Sequence, residues 1–242
     1  MFHLALKLSL QISIDEAAQI YGLPDLQSAV TDHFFHTSYS AERRVVDPTT
    51  DKIQIWFKVR VQQPSCHDRR SLEPPQSLMA SPPSPQHPNG WYDFAIISQT
   101  DKSDWPSAGL TGTLQQCVCH MLTIAHYFTG HAVIQIRLIF CLLHSSTFFA
   151  YVQHFNHTFP PLSCNTTDDA AGLHGLKQVI RCNGMWVGEV IALHCLHSPA
   201  HVILCFGKEA NQHLMCHTAY ELSNEFWLNK YWNKEIFYAL ST

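Results

Sequence analysis

Residues 52–62, KIQIWFKVRVQ, alternate apolar and polar side chains over their whole length. In an extended strand Ile53, Ile55, Phe57, Val59 and Val61 share one side, and Gln54, Trp56, Lys58, Arg60 and Gln62 the other. A chain carrying this period is committed to a sheet with one buried face and one solvated face. The same reading extends to WYDFAIIS (91–98), AVIQIRLIFCLL (132–143), FFAYVQHF (148–155), LKQVIRC (176–182), VGEVIAL (187–193) and HVILCF (201–206). Turn residues separate these runs, which predicts a mixed or antiparallel β domain. They do not alternate with helical segments, which disfavours a doubly wound parallel sheet.

Helical signals frame the strands. Ser13 and Glu16 in SIDE form a capping-box signature ahead of AAQIYG, and the Gly22-Leu23-Pro24 break precedes a second helical run, DLQSAVTDHFF. At the other end, SNEFWLNKYWNKEIFYAL offers Ser223 as N-cap and places Leu228, Tyr231, Trp232 and Ala239 near one helical stripe. The expected fold is therefore α+β: a helical N-terminal segment over 1–46, a predominantly antiparallel β-rich domain over 51–242, and a closing C-terminal helix near 223–240. The six prolines of SLEPPQSLMASPPSPQHPNG predict a poorly paired loop over 64–90.

Composition narrows the function. The 242 residues carry 15 Lys plus Arg against 19 Asp plus Glu, a net charge of −4, so any nucleic-acid contact must be local. The most apolar stretch, HAVIQIRLIFCLLH, contains Arg137 and Gln135 and reads as a buried strand and not a membrane span. Lys7 interrupts the N-terminal apolar run and no small-residue cleavage site follows, so no signal peptide is expected. Nine cysteines without regular spacing then imply reduced thiols in an intracellular compartment, with the sequons at Asn156 and Asn165 unmodified. Seventeen histidines are scattered from His3 to His217 and mark no designed site.

The segment 113–130, TLQQCVCHMLTIAHYFTG, gathers Cys117, Cys119, His120 and His126. On a helix these fall on two faces, and Cys-x-Cys-His is not the separated-pair spacing of structural zinc sites, so no metal or other cofactor is expected. Cys66-His67-Asp68 could suggest a nucleophile with its base, but adjacent residues of an extended chain point in alternate directions. That tripeptide reads as a turn in which Asp68 accepts backbone hydrogen bonds.

The order WFKVRVQQ, Cys-His-Asp, PPS, WYDFAII, WPSAGLTG, IQIRLIF, YVQHF, VGEVIAL and FWLNKYWNKEIFYAL resembles the C-terminal region of Plavaka-type transposase proteins of fungi, over about residues 2–240. The resemblance implies a β-rich region that follows a separate transposase core and has no assigned chemistry of its own. In similar sequences a Gly-Leu-x-Gly-His runs directly into the strand, whereas here Gly112 and His131 are separated by 113–130. These 18 residues read as an in-frame insertion, an unspliced intron of 54 nucleotides.

Strand-transfer chemistry needs carboxylates that converge on two metal ions about 4 Å apart. Asp68, Asp93 and Glu189 are the candidates, and no strand–helix scaffold presents them together. A noncatalytic, DNA-associated role in the nucleus is the expectation, with DNA or a transposase core as partner. Trp56, Lys58 and Arg60, with Arg137 beside Gln135 on another strand, would form the exposed aromatic and cationic face. The alternative is a protein-interaction or purely structural β domain that binds no nucleic acid.

Overall fold

A computed structural model describes residues 2–4, 8–37, 51–65, 68, 70–98, 110, 131–143, 145–158, 173–181, 184–205 and 218–241. The predicted insertion 113–130 and the Cys66-His67 pair lie outside the described residues. The architecture is mostly antiparallel β. Fourteen strands are described: β1 (Phe2–Leu4), β2 (Leu10–Ser13), β3 (Lys52–Trp56), β4 (Lys58–Val61), β5 (Gln76–Ser81), β6 (Trp91–Tyr92), β7 (Phe94–Ser98), β8 (His131–Leu142), β9 (Phe148–Thr158), β10 (His174–Gln178), β11 (Gly188–Ala192), β12 (Leu196–Ala200), β13 (Val202–Leu204) and β14 (Glu225–Leu228). The helices are α1 (Ile14–Tyr21), α2 (Leu26–Thr37), the short α3 (Ala219–Leu222) and α4 (Lys234–Ser241).

Two sheets form. The larger runs β12-β7-β8-β9-β10-β14-β13, with β11 also on β9 and β3 joining β8 to β2; the smaller runs β1-β4-β5-β6. Two extended stretches pass from one sheet to the other. The run 52–61 breaks at Phe57: Ile53, Ile55 and Trp56 pair with Leu142, Phe140 and Ile139 of β8, whereas Lys58–Val61 pair with β1 and β5. The second crossing is at Asp93, which separates β6 in the small sheet from β7 in the large one. Its carboxylate accepts from Met79 N at 2.8 Å and from Trp91 Nε1 at 2.9 Å, and its backbone bridges Met79 O and Ile136 N.

The N-terminal helices form as the sequence dictates. Ser13 caps α1, with Glu16 N donating to its hydroxyl and Ser13 N to the Glu16 carboxylate, and Gly22 at φ 62° closes the helix in the left-handed region that glycine favours. The segment 1–46 also supplies β1 and β2, which alternation over three or four residues is too short to announce. Its Ile14, Ala17, Tyr21, Leu23, Leu26 and Val30 are buried in the same core as Ile134, Ile136, Leu138 and Val152 of the large sheet.

Three expectations are corrected. The proline-rich stretch contains β5, paired along β4, because Pro74-Pro75 and Pro82-Pro83 flank the strand and leave its N–H groups free to pair. The closing helix is only α4: Glu225–Leu228 form β14 between β10 and β13, and Lys230–Trp232 form a single 3₁₀ turn. Cys205 is disulfide-bonded, against the expectation of reduced thiols, while Cys141 and Cys195 are in no disulfide. No described helix is long and apolar enough to cross a membrane.

Candidate nucleic-acid interface

The register of the small sheet decides which side chains share its outer face. Lys58 lies opposite Met79 and Arg60 opposite both Ser77 and His3, while Val59 and Val61 face Leu78, Phe2 and Leu4 inward. Period 2 then carries the outer face along β5 to Ser81, whose partner across β6 is Trp91. The result is a sheet face with His3, Lys58, Arg60 and Ser77 exposed at one side and Trp91, 47% exposed, at the other. Val59, Val61, Leu78 and Ala80 are buried beneath it and fix its plane.

Trp91 is held for contact by its surroundings. Its indole N–H donates to Asp93, and the His87 ring meets it edge-on at 4.7 Å, so the indole is braced while nearly half the residue stays open. Burial pushes the Asp93 carboxyl above its ordinary range, against the hydrogen bonds from Met79 and Trp91. Cations and an aromatic ring on a flat strand surface can meet phosphates and stack a base.

Of the four residues named from sequence, Lys58 and Arg60 lie on this face and Trp56 and Arg137 do not. Trp56 is only 7% exposed and meets Phe148 edge-on at 5.2 Å, because it belongs to the large sheet before the chain crosses at Phe57. Arg137 is 4% exposed. The pairing of β8 with β9 shifts between Ile136 and Leu138, so Arg137 occupies a bulge, and its guanidinium lies 3.9 Å from the Tyr92 ring centroid and 5.1 Å from that of Trp186. All twelve residues of β8 are buried, so neither of its faces is a solvated one. Alternation does not reach Trp91 and His3: the first stands in a two-residue strand and the second in a three-residue strand, and only the ladder β1-β4-β5-β6 brings them beside Lys58 and Arg60.

The candidate carboxylates each serve a separate partner. Asp68 accepts from Arg70 N at 3.0 Å, Asp93 braces the crossing point, and Glu189 lies 2.6 Å from His154 Nε2. Among the described residues no group of three or more His, Cys, Asp or Glu could hold a metal ion.

Residues 1–129 match the family described as Domain of unknown function (DUF6830). The chain belongs to this family. The match contains the entire four-stranded sheet, and with it every residue of the outer face. No curated protein matches the chain, and no solved structure does.

Proposed function

We propose that this member of the family is a noncatalytic, transposon-derived accessory module that contacts DNA through the outer face of its four-stranded sheet. The observation that carries the reading is the placement of His3, Lys58, Arg60 and Trp91 on one surface by strand register. The resemblance to the C-terminal region of Plavaka-type transposases supports the transposon origin, a nuclear location and a transposase core as partner. The separate structural duties of Asp68, Asp93 and Glu189 support a module that leaves phosphoryl transfer to that core. In finer terms the fold is α+β, with α1 and α2 entering the core from one end of the chain and α4 closing the other.

Filter binding to single- and double-stranded DNA across a salt series tests the reading. Neutralised phosphates release counterions in proportion, so Lys58→Glu with Arg60→Glu should flatten the log–log salt slope on duplex by roughly 1.8 and on single strands by roughly 1.4. An unchanged slope, or no binding by the wild type at low salt, rejects it. The net charge of −4 favours the second reading, a protein-interaction or structural β domain, in the event of that result.

A further inference from the structure

The C-terminal stretch 229–237 builds a second aromatic surface, away from any strand face. Asn229 accepts a hydrogen bond from Tyr231 N at 3.1 Å and so starts the 3₁₀ turn; Asn233 accepts one from Glu235 N at 2.7 Å and starts α4. Two caps four residues apart thus hold a short rigid corner. Tyr231, Trp232 and Phe237 project from it, 58%, 47% and 43% exposed. Apolar groups this large normally pack inward, so three exposed rings within seven residues of one corner, two of them in contact, mark a contact surface.

Their arrangement favours one class of occupant. Lys230 Nζ lies 5.5 Å from the Tyr231 centroid and 5.9 Å from that of Phe237, and the two rings are 5.5 Å apart. His201 stacks on Trp232 at 5.5 Å with an interplanar angle of 18°, so one indole face is covered while 47% of the residue stays exposed. The carboxylate of this stretch, Glu235, turns inward to Ser65 Oγ at 3.1 Å, whereas Lys234 is exposed and 4.0 Å from Glu73. The corner therefore offers exposed aromatic surface to a stacking group and the Lys230 ammonium to an anion, Lys234 being paired with Glu73.

We infer that Tyr231, Trp232 and Phe237, with Lys230 beside them, are a stacking ledge for unpaired nucleotides. The inference rests on the DNA-contact reading and adds to it: the sheet face meets phosphates, and this ledge recognises that bases are unstacked and accessible. Stacking of this kind is tolerant of sequence, because every base has a π-face. Duplex DNA, whose bases are already stacked, gains nothing from the ledge.

The test measures the full chain, by fluorescence anisotropy at low salt, against a thymidine oligonucleotide of about 12 nucleotides and an abasic sugar–phosphate strand of equal length. In a Trp91→Ala background, which removes the stacking ring of the sheet face, the chain should prefer the base-bearing strand by about tenfold or more, and adding Tyr231→Ala with Trp232→Ala should erase that preference while binding of the abasic strand is kept. Lys230→Gln should weaken both strands together. Because the substituted side chains are exposed, the variants should unfold at the wild-type urea midpoint, which separates lost contact from lost fold. Equal binding of both strands by the Trp91→Ala protein, or a preference that survives the added double substitution, overturns the ledge and leaves the sheet face standing. No binding of either strand overturns both readings. Self-association of the wild type in sedimentation, abolished by the same double substitution, would assign the surface to a second copy of the chain and overturn the nucleotide assignment.

Discussion

Gly188 has no room for one added methyl group. It pairs with Gln153 at the start of β11, and the Tyr151 ring of β9 lies over it. A Cβ there would fall 2.6 Å from Cε2 of Tyr151, and closer still to its Cζ and Oη, against an ordinary carbon–carbon approach of about 3.5 Å. Tyr151 cannot retreat freely: it is 1% exposed, and its hydroxyl donates to Asp25, whose other oxygen is held by Arg181 at 3.0 Å. Overpacking costs about 1–3 kcal/mol, and a lost hydrogen bond to a charged acceptor about 1.5–3 kcal/mol. Gly188→Ala should therefore destabilise by about 3–5 kcal/mol, a large share of a total stability on the order of 5–15 kcal/mol. The assay is urea unfolding followed by tryptophan fluorescence. In a Tyr151→Leu background the same substitution has room for its methyl and should cost less than about 1 kcal/mol, giving a coupling of about 2 kcal/mol or more. A Gly188→Ala protein within about 1 kcal/mol of wild type, or two substitutions that simply add, would refute the claim that Tyr151 is pinned between Gly188 and Asp25.

Two further outcomes are expected. Trp56→Ala should cost about 3–5 kcal/mol in urea unfolding, as a buried aromatic does, yet leave the DNA salt slope of the surviving folded protein unchanged, which is the opposite of what an exposed stacking residue would give. His197 is held down to about 4 by burial, with the neighbouring His131 adding to the shift. Its folded value lies below the ordinary 6.5, so the unfolded chain takes up the proton first. The stability it contributes is complete above pH 6.5 and is lost as pH falls from 6.5 to 4, by roughly 3 kcal/mol at most. His197→Gln should flatten that limb of a pH series of urea midpoints.

What could be read in the sequence was mostly periodic. The alternation of 52–61, the paired long strands β8 and β9, and the Ser13–Glu16 cap are all local patterns with local causes. The failures arise where tertiary pairing overrides them. Trp56 sits on the polar side of a perfect alternation, but the chain changes sheets one residue later, and the large sheet is covered on both sides at that point. Arg137 alternates with Ile136 and Leu138, yet a bulge and two aromatic rings give a cation an interior place. Helical spacing puts Leu228, Tyr231 and Trp232 on one stripe. Pairing of Glu225–Leu228 with β10 and β13 removes the first half of that helix, and Asn229 and Asn233 restart the backbone twice, which turns Tyr231 and Trp232 outward. The Asn-x-x-x-Asn spacing was the available signal, since each Asn is a preferred cap. On the small sheet, Lys58 and Arg60 followed from alternation, whereas Trp91 needed the ladder.

The two crossings at Phe57 and Asp93 also bear on how the chain can be cut. Both strands that leave the small sheet become neighbours of β8, which begins at His131, beyond the last residue of the family match. A recombinant fragment ending at 129 would present β3 and β7 as bare hydrogen-bonding rims rich in isoleucine, the template on which chains stick to one another. The boundary that sequence comparison draws is thus not a boundary the backbone respects, and the smallest piece worth expressing extends through β8 and β9.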